Sequence, residues 1–160
     1  MSKLLIAYFS ASGTTAKAAK LLSQLTNADI YEIKPQISYT KDDLNWMDKK
    51  SRSSIEMSDK SFRPALKDKD ANIEAYDIIA LGFPIWWYIA PNIINTFLES
   101  YDFSGKTVVL FATSGGSGFG KTVFGLKNSV SVDTKIIEGK IINSKNSFNE
   151  LVQQLKSICK

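Results

Sequence analysis

Three short stretches of this chain combine residue types suited to holding an anion and a flat ring. Ser10-Ala11-Ser12-Gly13-Thr14-Thr15 places four hydroxyls within six residues, directly before a helix-like run beginning at Ala16. Backbone N–H groups at a helix start, with hydroxyls beside them, make a phosphate cradle that needs no fixed positive charge. The same residues would also serve as an ordinary Ser/Thr helix cap. Gly82-Phe83-Pro84-Ile85-Trp86-Trp87-Tyr88-Ile89-Ala90-Pro91 gathers two of the three tryptophans and a tyrosine in one loop. Large aromatics in a loop stack a planar ligand or anchor an interface, and one of the two tryptophans is expected to pack under the following helix. Pro84 and Pro91 restrain the backbone between them. Thr113-Ser114-Gly115-Gly116-Ser117-Gly118 opens a glycine-dense stretch that runs on to Thr122, and residues 115–122 satisfy the pattern G-x-x-x-x-G-K-S/T. A nucleotidase also needs an acidic Mg²⁺ ligand at a strand end, whereas the candidate strand ends read Phe9-Ser10 and Phe83-Pro84. These glycines are better read as allowing close backbone approach to a ligand edge. Residues 8–16, 82–92 and 112–120 carry no charged side chain.

The elements that must position these loops alternate strand and helix. Strands are predicted at 3–9, 29–34, 77–83, 106–113 and near 135–142; the first, third and fourth are continuous apolar runs, as in a parallel sheet covered on both faces. Helices are predicted at about 14–26, 91–100, 118–129 and 146–158, the last with Phe148, Leu151, Val152, Leu155 and Ile158 at amphipathic spacing. In an open parallel sheet, ligands bind beyond the carboxyl ends of the strands. The three loops follow strands one, three and four, where such a crevice would lie. Residues 35–76 fit no simple pattern: they hold eight of the sixteen acidic residues and both arginines, with a plausible helix from about 41 to 51. A connection this long is either functional or a solvated excursion.

A length of 160 residues with 44% apolar content predicts one compact domain over 1–160 with a sizeable core. The chain has no histidine and one cysteine, Cys159. That removes Ser-His-Asp hydrolysis, His-based metal sites and any intrachain disulfide, so no metal site and no side-chain catalyst is assigned. Chemistry would come from a cofactor. A lone thiol favours a reducing cytoplasm. The apolar run Leu4–Phe9 is too short for a signal-peptide core or a membrane span. The net charge of +4 arises mainly from the last third, where 105–160 carry eight basic and three acidic residues, spread rather than clustered. No nucleic-acid surface is therefore expected.

Taken in this order, Tyr8–Thr15, Pro84–Trp87 and Thr113–Gly118 resemble the three cofactor-contacting loops of the flavodoxin-like family, in its small single-domain branch. The resemblance covers nearly the whole chain. It implies a three-layer α/β fold, with a five-stranded parallel sheet in the order 2-1-3-4-5 and helices on both faces, and non-covalently bound FMN. Carried over, Ser10, Ala11, Ser12, Gly13, Thr14 and Thr15 would form the phosphate loop. Pro84, Ile85, Trp86, Trp87 and Tyr88 would line the isoalloxazine, and Thr113, Ser114, Gly115, Gly116, Ser117 and Gly118 would border its pyrimidine end. An uncharged pocket is expected to disfavour an anionic reduced ring and so lower the second reduction potential. The segment 35–76, with Tyr39-Thr40, Leu44-Asn45-Trp46 and Ser51-Arg52-Ser53 as its recognisable pieces, would fold over the cofactor and supply polar or aromatic contacts to the ring. The implied function is electron transfer through FMN to a redox partner protein or a small acceptor. The alternative is an NAD(P)H-dependent quinone, nitro or azo reductase on the same fold, ahead of a flavin-loaded interaction module without turnover. Many electron-carrier flavodoxins are strongly acidic, and this basic chain departs from that pattern.

Overall fold

The computed structural model describes residues 2–160. Strands β1 (Leu4–Tyr8), β2 (Asp29–Glu32), β3 (Ile78–Pro84), β4 (Thr107–Thr113) and β5 (Lys135–Ile141) form one sheet in the order β2-β1-β3-β4-β5, and every neighbouring pair is parallel. The continuous apolar runs are the interior strands. All five residues of β1 and the first six of β3 are buried, because side chains alternate between two covered faces.

Alternation assigns each residue to a layer. Leu4, Ile6 and Tyr8 of β1, with Ile78, Ala80, Val109 and Phe111, pack against helix α1 (Thr14–Thr26) through Ala19 and Leu22. The same layer receives Phe148, Leu151, Val152 and Leu155 of the C-terminal helix (Lys145–Ile158). The opposite residues, Leu5, Ala7, Ile79, Leu81, Val108 and Leu110, pack against a helix at Asn92–Glu99 through Ile93, Ile94, Phe97 and Leu98. In chain order the helices are α1, α2 (Arg52–Ser58), α3 (Asn92–Glu99), α4 (Thr122–Leu126) and α5 (Lys145–Ile158). Ser144 caps α5 reciprocally with Ser147, which fixes where that helix starts.

The expected sheet order and the helix-covered faces are both observed. Three boundaries differ. No helix occupies 41–51, which runs as successive turns; the helical segment of the excursion is α2, beginning at Arg52 with Ser51 as its cap. The helix expected over 118–129 is α4 alone, followed by a 3₁₀ turn at Lys127–Ser129. Gly120 adopts φ 56°, a left-handed conformation that delays the helix start. Strand two stops at Glu32 rather than residue 34, because Pro35 leaves the sheet to bridge Leu66 in the excursion. Among the described residues no helix is long and apolar enough to cross a membrane.

Candidate functional site

The loops after β1, β3 and β4 meet at Thr113, the last residue of β4. Its Oγ1 lies 2.8 Å from Oγ1 of buried Thr15, in the first turn of α1. Its carbonyl accepts the Ile85 N–H at 2.9 Å. One residue thus ties the hydroxyl loop, the aromatic loop and the glycine loop together at the carboxyl edge of the sheet.

The hydroxyl loop is built around the start of α1. Gly13, at φ 97°, occupies the N-cap and offers no side-chain hydrogen bond to the first turn. Its own N–H donates to Ser10 Oγ at 3.1 Å. The first-turn amides are therefore left without a capping side chain, at the positive end of a 13-residue helix dipole, which is an arrangement that accepts an anion.

The aromatic loop is a two-residue hairpin. Trp86 and Ile89 exchange backbone hydrogen bonds at 2.9 and 3.1 Å, with Trp87 and Tyr88 at the turn. Both turn residues have positive φ, 49° and 67°, as a tight turn between antiparallel partners demands, although glycine or asparagine usually fills such positions. Holding two bulky aromatics left-handed costs about 1–2 kcal/mol each. That cost is sustained by the surroundings: Trp86 packs edge-on against Phe9 and Tyr39, at 5.7 and 5.5 Å between ring centres. Of the two tryptophans, Trp86 is the one packed inward, whereas Trp87 is 43% and Tyr88 69% exposed.

The glycine loop closes against this hairpin. Ser114 Oγ bonds Ser117 Oγ at 3.0 Å and accepts the Gly116 N–H at 3.2 Å, folding the loop on itself. Thr122, the hydroxyl residue of the nucleotide-binding pattern, is buried, and its Oγ1 donates to the Phe119 carbonyl. It is not presented to a metal or a phosphate. Among the described residues, no group of three or more acidic, cysteine or histidine side chains is placed to hold a metal ion.

Between these loops and the excursion lies a cavity of about 430 Å³. Ile85, Trp86, Trp87, Tyr88 and Ser117 line one side, and Leu44, Trp46 and Ser53 of the excursion line the other. None of these side chains is charged. The structure thus brings five of the expected site residues onto one cavity. Ser10 to Thr15 lie at the start of α1, and Pro84, Thr113 to Gly116 and Gly118 flank the wall. Leu44, Trp46 and Ser53 were not among the residues expected at the site. Their sequence signal was their place among the recognisable pieces of segment 35–76, which the resemblance implied would fold over the cofactor.

The excursion is held by a buried polar cluster. Glu56 is 5% exposed; it accepts from Arg52 Nε at 2.9 Å and from the Tyr39 hydroxyl at 2.5 Å. The Arg52 guanidinium lies 3.8 Å from the centre of the Tyr39 ring and also donates to the Ile37 carbonyl. Burial, followed by the hydrogen bond to Glu56, pushes the Tyr39 phenol well above its ordinary range. Asn92 Nδ2 donates to the carbonyls of Glu56 and Asp59 at 2.8 and 2.9 Å, fastening α2 to the start of α3.

A family model described as Flavodoxin matches residues 3–158. Among solved structures, the chain is similar to a protein from Bacteroides eggerthii assigned as a flavoprotein, with 46% identity, 99% of this chain and 98% of that chain covered, and a TM-score of 0.89. A second, from Bacteroides uniformis and assigned likewise, shows 46% identity over 97% and 98% of the two chains, with a TM-score of 0.80. A flavoprotein from Lactobacillus acidophilus, solved in complex with FMN, shares the fold at 24% identity over 86% and 91% of the chains, with a TM-score of 0.64. A search of the curated proteins finds no match.

Proposed function

Since the chain belongs to the flavodoxin family, we propose that it binds FMN and works as an electron-transfer protein, passing electrons to a redox partner protein or a small acceptor. The observation that carries this reading is the uncharged, aromatic-walled cavity beside the uncapped start of α1, the two joined through Thr113. The residues fit the cofactor on chemical grounds. A phosphate needs donors and a positive field, which the first turn of α1 supplies from its backbone. A flat neutral ring needs aromatic and aliphatic walls with few polar groups, which Trp86, Trp87, Ile85 and Leu44 supply.

When bound, FMN supplies one- and two-electron redox chemistry. The protein's residues bind and orient it: Ser10 to Thr15 hold the phosphate, Pro84 to Tyr88 wall the ring, and Thr113 to Gly118 border its polar edge. Trp87 and Tyr88, exposed at the rim, stand where an acceptor or partner would approach. The free thiol of Cys159 suits the cytoplasm as the compartment.

One observation favours the reductase reading as a second. The cavity mouth bears exposed apolar rings, with Trp46 69% and Tyr88 69% exposed, and no acidic lining residue to steer a basic partner. Such a mouth suits a small neutral acceptor.

The test is direct. Apoprotein titrated with FMN should quench the flavin fluorescence at one equivalent, and riboflavin should bind more weakly by the share the phosphate contributes. A protein that takes up no FMN ends the proposal. Turnover of NADH or NADPH with benzoquinone by the purified protein alone would select the reductase reading; a requirement for a separate reductase would select the carrier.

A further inference from the structure

Ser53 stands in the first turn of α2, 2% exposed and on the cavity wall, and its Oγ has no hydrogen-bond partner among the described residues. Every nearby polar group of α2 is engaged. The Ser53 N–H donates to the Asp43 carbonyl at 3.0 Å. Ser51 Oγ accepts from the Ser54 N–H and bonds Ser54 Oγ at 2.9 Å. A serine inside a helix can return its hydroxyl to a carbonyl three or four residues back. Ser53 is only the second helical residue, so those carbonyls lie before the helix begins. Nor is α2 free to turn the hydroxyl elsewhere, since Glu56 is tied to Arg52 and Tyr39 and its carbonyl to Asn92.

An unpaired buried hydroxyl is costly and uncommon, and it calls for an explanation. The other serine on the cavity wall, Ser117, already bonds Ser114. Of the two serines on this apolar wall, Ser53 is therefore the one whose hydroxyl has no hydrogen-bond partner among the described residues. A flat heteroaromatic ligand carries carbonyl oxygens and ring nitrogens along one edge, and a single hydroxyl at the wall is enough to select that edge.

We propose that the Ser53 hydroxyl is a hydrogen-bond partner for a heteroatom of the bound flavin ring, making the excursion 35–76 the element that recognises the ring while the start of α1 recognises the phosphate. This rests on the FMN reading above. The unpaired hydroxyl destabilises the ligand-free protein and is satisfied when the ring is bound, so the residue favours binding at the expense of unliganded stability.

Ser53→Ala and Ser53→Cys in the full chain test this, the second keeping the side-chain shape with a slightly larger atom that offers only a weak thiol donor. Affinities for FMN and for riboflavin are measured by fluorescence quenching, and ligand-free unfolding by urea. Both variants should bind FMN and riboflavin about 5- to 10-fold more weakly by the same factor, one hydrogen bond's share. Ligand-free Ser53→Ala should unfold at a urea concentration equal to or above that of the parent. Unchanged affinity in Ser53→Ala, with the parent binding both flavins, overturns this proposal alone. So does a loss confined to FMN, which would place the contact at the phosphate. A ligand-free Ser53→Ala that unfolds earlier means that the hydroxyl serves the fold, and also overturns it. A parent protein that binds neither flavin removes the functional reading and this proposal together.

Discussion

A Cβ placed on Gly120 would lie 2.4 Å from the Tyr88 carbonyl oxygen, and the residue already sits at φ 56°. Two constraints therefore meet on one atom: the conformation disfavours any side chain, and the aromatic hairpin occupies the space one would need. Gly120→Ala is expected to cost about 1–3 kcal/mol in urea unfolding. It should also weaken FMN binding, because the hairpin must move to make room; unchanged stability would show that the glycine loop yields freely. This residue was half legible in the sequence. Its place in the glycine-dense stretch marked it as a glycine allowing close backbone approach, but the approach was expected to a ligand edge whereas the structure shows it to Tyr88. Ser53 was legible only as part of the run Ser51-Arg52-Ser53 in a segment expected over the cofactor, not as an individual site residue. In the run Ser51-Arg52-Ser53-Ser54 nothing distinguishes the hydroxyl that caps the helix from the one left unpaired, since the difference lies in contacts made by residues distant in the chain.

Helix α2 shows the same limit at the scale of an element. Its seven residues are too few to be stable by propensity, and the sequence pointed to a helix at 41–51 instead. What selects Arg52–Ser58 is tertiary: the Glu56 carboxylate between Arg52 and Tyr39, and the two carbonyls held by Asn92. Asn92→Ala removes both of those bonds from a residue 4% exposed and should cost about 1–3 kcal/mol, summed over two hydrogen bonds. The loss should be local. Amide exchange should quicken across the excursion while β1 and β3 keep their protection, and uniform acceleration through the sheet would contradict a clamp of this kind. Where burial alone decides an element, the sequence suffices: β1, β3 and β4 were readable as apolar runs, and α5 from its amphipathic stripe.

For the molecule as a whole, the absence of histidine leaves the titration of stability to the acid and alkaline ends. On the alkaline side, burial and then Glu56 raise the Tyr39 phenol, burial and then Asp68 raise Tyr31, and burial and then Asp29 push Tyr76 up to about 12. A raised folded value means that the stability these phenols contribute is complete below the unfolded value of about 10. It is lost as pH climbs through the folded values. On the acid side, the Tyr31 hydroxyl holds the Asp68 carboxyl below its ordinary range, and for Glu99 burial pulls upward but is outweighed by Arg63 and Ser129. Those contributions are present above about pH 4 and fade below it. The urea midpoint should therefore be flat from about pH 5 to 9 and fall on either side. Tyr39→Phe should show a smaller alkaline fall from a lower plateau; an identical alkaline limb would exclude Tyr39 as a source. Thr113 has a consequence of another kind. A single residue bonded to both the hydroxyl loop and the aromatic loop links the two, and any effect that filling one has on the other is returned in equal measure. On the proposed reading, phosphate and ring are then not two independent handles on one ligand. Each is seated on a loop whose position the other shares through Thr113, so a change at one seat is felt at the other.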